Sequence, residues 1–115
     1  HTVHMQGNEV FKHAVTKMGD AAVEALRRAG VTGDDVSLFI PHQANIRIIE
    51  ALARILDIPM EKIVINIDKI GNCSAGTIPV ALAQVDEKGL LNEGDLIELV
   101  AFGGGFTWGG CVIKW

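Results

Sequence analysis

A chain of 115 residues, 49% hydrophobic and 21% charged, can bury about two-thirds of its unfolded surface in one globular domain and carries no disorder signature. Its net charge of −4, with Lys and Arg scattered, excludes a nucleic-acid footprint over the whole surface, and no stretch approaches the ~18 uninterrupted apolar residues of a membrane span. Cys73 and Cys111 lack metal-ligand spacing and are too few for a disulfide scaffold, so a reducing compartment is expected, the cytoplasm by default.

The chain opens on His1, with no signal peptide, and reads as trimmed or as a piece of something longer. Val3 to Met5 is a short apolar run that "QGN" breaks, and Asn8 is offered as the N-cap of a long amphipathic helix. That helix carries Val10, Phe11, Ala14, Val15, Met18, Ala22, Ala25 and Leu26 on one face and stops at Gly30. "TGDD" turns into a strand over Val36 to Ile40, which Pro41 ends. A second helix follows, with Ile46, Ile49, Leu52, Ala53 and Leu56 on one face and Arg47, Glu50 and Arg54 on the other. The β-branched run Ile63 to Ile67 reads as a strand, the small-residue loop "DKIGNCSAG" follows it, and a third helix covers Thr77 to Lys88 before Gly89. Leu96 to Phe102 and Phe106 to Lys114 are predicted as an antiparallel hairpin joined by Gly103, Gly104 and Gly105.

The order β-α-β-α-β-α-β-β predicts an α/β domain on a mixed, mostly parallel five-stranded sheet with its last strand antiparallel. In such sheets ligands gather where strands end and loops lead into helices. His42 and Asn72 are both placed there, and the glycine run follows the end of another strand. Each also has a structural explanation. His42 could cap or pack against its helix, Asn72 could be a left-handed turn residue after Gly71, and the glycines could simply satisfy positive φ. Phe102 could be an ordinary core residue, and Arg47, Glu50 and Arg54 could form ion pairs along a helix face. Cys73, near a helix start, could be a low-pKa thiol and make the chain a thioester hydrolase, although no carboxylate is patterned to orient His42 as its base. Cys111 is assigned to the core, and His1, His4 and His13 show no metal-ligand spacing.

"PHQAN" at 41–45, "GNCSA" at 71–75 and "AFGGGFTWG" at 101–109, in that order, resemble the carboxyl-terminal half of the 3-oxoacyl-[acyl-carrier-protein] synthase III family. The likeness runs from "HMQGNEVFK" at 4–12 to Trp115, with Cys73 where the family commonly has threonine. It implies half of a thiolase-like fold, residues 1–115 being the carboxyl-terminal domain and the half bearing the nucleophilic cysteine being absent. It also implies a decarboxylative condensation of an acyl group from acyl-CoA with malonyl-acyl carrier protein, opening fatty-acid synthesis without a covalently bound cofactor. By resemblance, His42 and Asn72 would be the donors to the malonyl thioester oxygen, Gly104 would lend an oxyanion-hole amide, and Phe102 would line the pocket. Asn45 and Arg47 would meet the pantetheine phosphate, with Lys12 and Arg54 at the carrier-docking rim. The partners implied are the amino-terminal half, acyl carrier protein and acyl-CoA, with the complete enzyme a homodimer and neither nucleic acid nor membrane involved.

Two classes compete: an enzyme half that needs its cysteine-bearing partner, and a non-catalytic module that holds coenzyme A or a carrier protein. The third helix adds an expectation of its own. "TIPVALAQV" is apolar on nearly every side, so one sheet cannot cover it, and Ile78, Val80, Leu82 and Val85 are expected to form an exposed patch that binds the amino-terminal half or a second copy.

Overall fold

The computed structural model describes residues 7–43, 45–66, 76–104 and 107–115, so the expectations placed on Val3 to Met5, Asn72 and Cys73 lie outside the described residues. Helix α1 spans Gly7–Ala29, so Asn8 sits within its first turn and is not the N-cap. Ala14, Val15, Met18, Ala22 and Ala25 recur at helical spacing and are buried, as the apolar stripe predicts. Helix α2, Ile46–Leu56, buries Ile48, Ile49, Ala51, Leu52 and Ala53, while Ile46, expected on its apolar face, is exposed. Helix α3 is Thr77–Glu87.

The three α-helices among the described residues end in the same way. The residue after the last turn is left-handed, at Gly30 (φ 70°), Asp57 (φ 53°) and Gly89 (φ 70°). The next N–H reaches back five residues, from Val31 to Leu26, Ile58 to Ala53 and Leu90 to Val85, satisfying carbonyls that the helix leaves orphaned.

Strands β1 (Leu38–Pro41), β2 (Leu96–Gly103) and β3 (Thr107–Lys114) form a sheet in the order β1-β2-β3. Strand β1 runs parallel to β2 with Pro41 opposite Val100, and β3 returns antiparallel with Gly103 opposite Thr107. The mixed sheet and terminal hairpin are as predicted, while the described residues form a sheet of three strands rather than the five expected. On one side, α1 and α2 close a core around Met18, Phe39, Ile49, Leu52 and Val100. On the other, Ala81 and Val85 of α3 pack on Ile40 and Ile97.

Three further expectations change. Of the run Ile63 to Ile67, residues 63–66 are described, and among them only Ile63 bridges β1, opposite Phe39, with Val64 N–H donating to Phe39 O. The next rung would need an N–H at position 41, and proline has none. Cys111, assigned to the core, is exposed. It lies opposite Leu99 on the outermost strand, beyond the part of the sheet that α3 covers. The α3 patch is also narrower than predicted. Val80 is exposed and Ile78 and Leu82 are partly buried, but Val85 belongs to the domain's own core.

One glycine fixes how α1 lies on the sheet. A Cβ at Gly110 would stand 3.0 Å from Val100 Cγ1, 3.1 Å from Ala21 O and 3.2 Å from Leu99 O. The helix backbone therefore rests directly on β3 at Ala21, and Lys17, one turn earlier, places its ammonium 4.9 Å from the centre of the Trp108 ring.

Candidate functional site

The parallel pairing of β1 and β2 brings their carboxyl ends together. His42, the first residue beyond β1, donates its backbone N–H to Val100 O at 2.8 Å, which sets it beside the segment leading to Phe102, Gly103 and Gly104. Its imidazole is half-buried. Desolvation lowers its pKa below the ordinary value, so the ring is neutral at neutral pH and carries one N–H. Ring atom Nδ1 lies 2.5 Å from the hydroxyl of Thr77, the first residue of α3, which is fully buried.

Gln43 replaces the rung that Pro41 cannot make. Its buried Nε2 donates to Pro41 O at 2.8 Å and to Val64 O at 3.0 Å, and its Oε1 accepts from Asn66 N–H at 3.0 Å. Its own backbone N–H donates to Thr77 Oγ1 at 3.3 Å. Asn66 then donates through Nδ2 to Gln84 Oε1 of α3 at 2.9 Å. One polar network thus ties the end of β1, the 64–66 segment and α3 around His42. Neither Gln43 nor Thr77 stands out in the sequence as a site residue. The available signals are a glutamine that follows the strand-ending Pro-His pair and a hydroxyl at a helix start.

The remaining predicted residues are spread more widely. Phe102 is partly buried against the α1/α2 core, which is compatible with an ordinary packing role. Gly104 is exposed, its carbonyl accepts from Thr107 Oγ1 at 3.2 Å, and a Cβ there would meet nothing within 4 Å. Asn45 is the N-cap of α2, its side chain accepting from Arg47 N–H at 2.7 Å, so that oxygen is committed to the helix. Arg47 is exposed with its guanidinium 5.2 Å from the centre of the Phe11 ring, while Lys12 and Arg54 are exposed on α1 and the last turn of α2. Among the described residues, ion pairs join Glu24 to Arg27 and Arg28, and none joins Glu50 to Arg47 or Arg54. The helix-face pairing considered from the sequence is therefore not made. No carboxylate is hydrogen-bonded to the His42 ring among the described residues, and none of their His, Cys, Asp and Glu side chains cluster as metal ligands.

A second buried polar group lies away from this network. Glu98, mid-strand in β2, is fully buried, and neither carboxylate oxygen has a hydrogen-bond partner among the described residues. Strand alternation puts it on the same side as Val100 and Phe102, facing the α1/α2 core, and burial pushes its carboxyl up to about 7.

Residues 26–115 match the family model described as 3-Oxoacyl-[acyl-carrier-protein (ACP)] synthase III C terminal. The chain is 51% identical over 113 residues to a Beta-ketoacyl-[acyl-carrier-protein] synthase III of Roseiflexus sp. (strain RS-1), covering 98% of this chain and 34% of the relative. It is 49% identical over 115 residues to that of Clostridioides difficile (strain 630), covering all of this chain and 35% of the relative. The crystal structure of 3-oxoacyl-[acyl-carrier-protein] synthase III from Aquifex aeolicus VF5 superposes with a TM-score of 0.94 at 50% identity, over 97% of this chain and 36% of that one. The chain thus spans about a third of the length of the curated relatives it matches. Among the described residues no helix is long and apolar enough to cross a membrane.

Proposed function

Since the chain belongs to the 3-oxoacyl-[acyl-carrier-protein] synthase III family and has its thiolase-like α/β fold, we propose that it is the donor-bearing carboxyl-terminal portion of a condensing enzyme. The complete enzyme would join an acyl group from acyl-CoA to malonyl-acyl carrier protein and so begin fatty-acid synthesis. The observation that carries this reading is His42, held neutral at the joined carboxyl ends of β1 and β2 with only one ring nitrogen, Nδ1, engaged by a described protein group.

The chemistry asks for such a group. When the bond from the malonyl carbon to its carboxylate breaks, carbon dioxide leaves and the electron pair moves onto the thioester carbonyl oxygen. Neutral donors aimed at that oxygen before the reaction stabilise the enolate without reorganising. His42 is one and Asn72 the other. The enolate carbon then attacks the acyl thioester on a cysteine of the amino-terminal half, and that thiolate leaves. Gly104 N–H joins the oxyanion hole for the acyl group, and Phe102 lines its pocket. Asn45 and Arg47 meet the pantetheine phosphate, with the Arg47 guanidinium steadied over Phe11. Lys12 and Arg54 receive the acidic carrier protein, and the complete enzyme works as a homodimer.

The test uses the chain completed with the amino-terminal portion that its relatives carry. His42→Ala and Asn72→Ala should each slow malonyl decarboxylation by about 10² to 10³ while leaving acylation of the cysteine intact. Equal loss of both half-reactions, or loss of neither, would contradict the assigned roles, and a completed chain that performs neither half-reaction would favour a module that binds without chemistry.

A further inference from the structure

The hydroxyl of Thr77 is placed to decide where the single ring proton of His42 resides. Thr77 Oγ1 has one proton and two lone pairs. One lone pair is used by the Gln43 backbone N–H, 3.3 Å away. The other contact is His42 Nδ1 at 2.5 Å. Two arrangements satisfy that short contact. If Nδ1 bears the ring proton, it donates to the second lone pair, and the hydroxyl proton is left with no acceptor among the described residues. If the hydroxyl donates to Nδ1, the buried hydroxyl is satisfied as donor and acceptor, and the ring proton sits on Nε2, the nitrogen of the half-buried ring that no described protein group engages. A buried donor without a partner is costly, and Thr77 is fully buried. The second arrangement wins.

We propose that Thr77 is a positioning residue: its hydroxyl donates to His42 Nδ1, holds the ring in the Nε2–H form and fixes the angle at which that N–H is presented. Thr77 is in turn held by the backbone of Gln43, whose side chain staples β1 to Val64 and Asn66, so the proton's place is set by the network that joins β1, the 64–66 segment and α3. The catalytic meaning rests on the reading of His42 as a donor, because only Nε2–H could then serve the substrate oxygen.

The experiment again uses the completed chain, with isotope-labelled imidazole nitrogens and His42 identified by the signal lost in His42→Ala. The wild-type spectrum should show His42 as one tautomer, protonated at Nε2, and finding the proton on Nδ1 would overturn the proposal without any variant at Thr77. Thr77→Val, which removes the hydroxyl at constant shape, should mix the tautomers and lower kcat for malonyl decarboxylation about tenfold, with KM little changed. Thr77→Ser should restore both the spectrum and the rate. A Thr77→Val protein with the wild-type tautomer and rate overturns the proposal, as does a Thr77→Ser protein impaired as much as Thr77→Val. If His42→Ala itself decarboxylates normally, the donor reading fails, and the nitrogen spectrum alone then decides the assignment of the proton.

Discussion

Replacing Gln43 by leucine tests whether a side chain really substitutes for the missing rung between β1 and the 63–66 segment. The change keeps most of the volume and removes three hydrogen bonds, to Pro41 O, Val64 O and Asn66 N–H. At about 1 kcal/mol net for each bond, the direct loss is about 3 kcal/mol. Gln43 and Asn66 are buried, so water does not readily replace these partners, and a stranded amide adds about 1 kcal/mol or more, while the extra apolar surface of leucine offsets part of the total. The expected outcome is destabilisation of about 3 kcal/mol, a large share of the roughly 5 to 15 kcal/mol typical of a domain. Urea unfolding followed by circular dichroism measures it, with an unchanged denaturant slope confirming that the same surface unfolds. Gln43→Glu serves as a companion: its ionised form supplies no donor, so its destabilisation should grow as pH rises. A loss below about 1 kcal/mol for Gln43→Leu would refute the account of the missing rung.

The buried Glu98 carboxyl has a folded pKa of about 7, raised from 4.5, so the folded state holds its proton more tightly than the unfolded chain does. That contribution is fully present below pH 4.5 and is lost as pH rises through about 7, a fall of up to about 3 kcal/mol that Glu98→Gln should abolish in a pH series of unfolding curves. The 115-residue chain alone, which is proposed to lack the nucleophile, should remain unlabelled by radioactive acetyl-CoA; stoichiometric label at Cys73 would instead support a thioester hydrolase. The outer face of α3 presents exposed Val80 beside partly buried Ile78 and Leu82, so sedimentation should find the chain self-associated or bound to an amino-terminal fragment, and Val80→Glu should dissociate it. A monomer at high micromolar concentration that binds no hydrophobic dye would remove that expectation.

Much of this fold is legible in local sequence, because the local signals agree with the global packing. The stripe from Ala14 to Ala25 and the glycines at 30 and 89 place two helix ends, and the apolar runs flanking Gly103 to Gly105 place the hairpin. Asp57 ends α2 in the left-handed conformation that glycine more often supplies, so the residue type gave no warning. Ile63 to Ile67 has strand composition, yet its pairing depends on what stands at position 41 of a neighbour 22 residues earlier in the chain, and a proline there removes the donor. Cys111 reads as core because it is a small apolar residue in a strand, whereas its exposure follows from how far α3 reaches across the sheet. His42 is legible by motif and place. Thr77, 35 residues further along, acts through a contact that no spacing rule encodes.

The contact at Gly110 also makes α1 a lever. With the Ala21 carbonyl seated against β3, the helix has a fulcrum well inside its 23-residue length, and about 15 Å of helix separates that point from Phe11. Tilting the helix by about 5° around the fulcrum would swing the far end by a little over 1 Å. Phe11 lies under the Arg47 guanidinium there, and Lys12 follows it. The close seat that a missing methyl group allows on the outermost strand therefore bears on the spacing between two cationic side chains about 15 Å along the same helix.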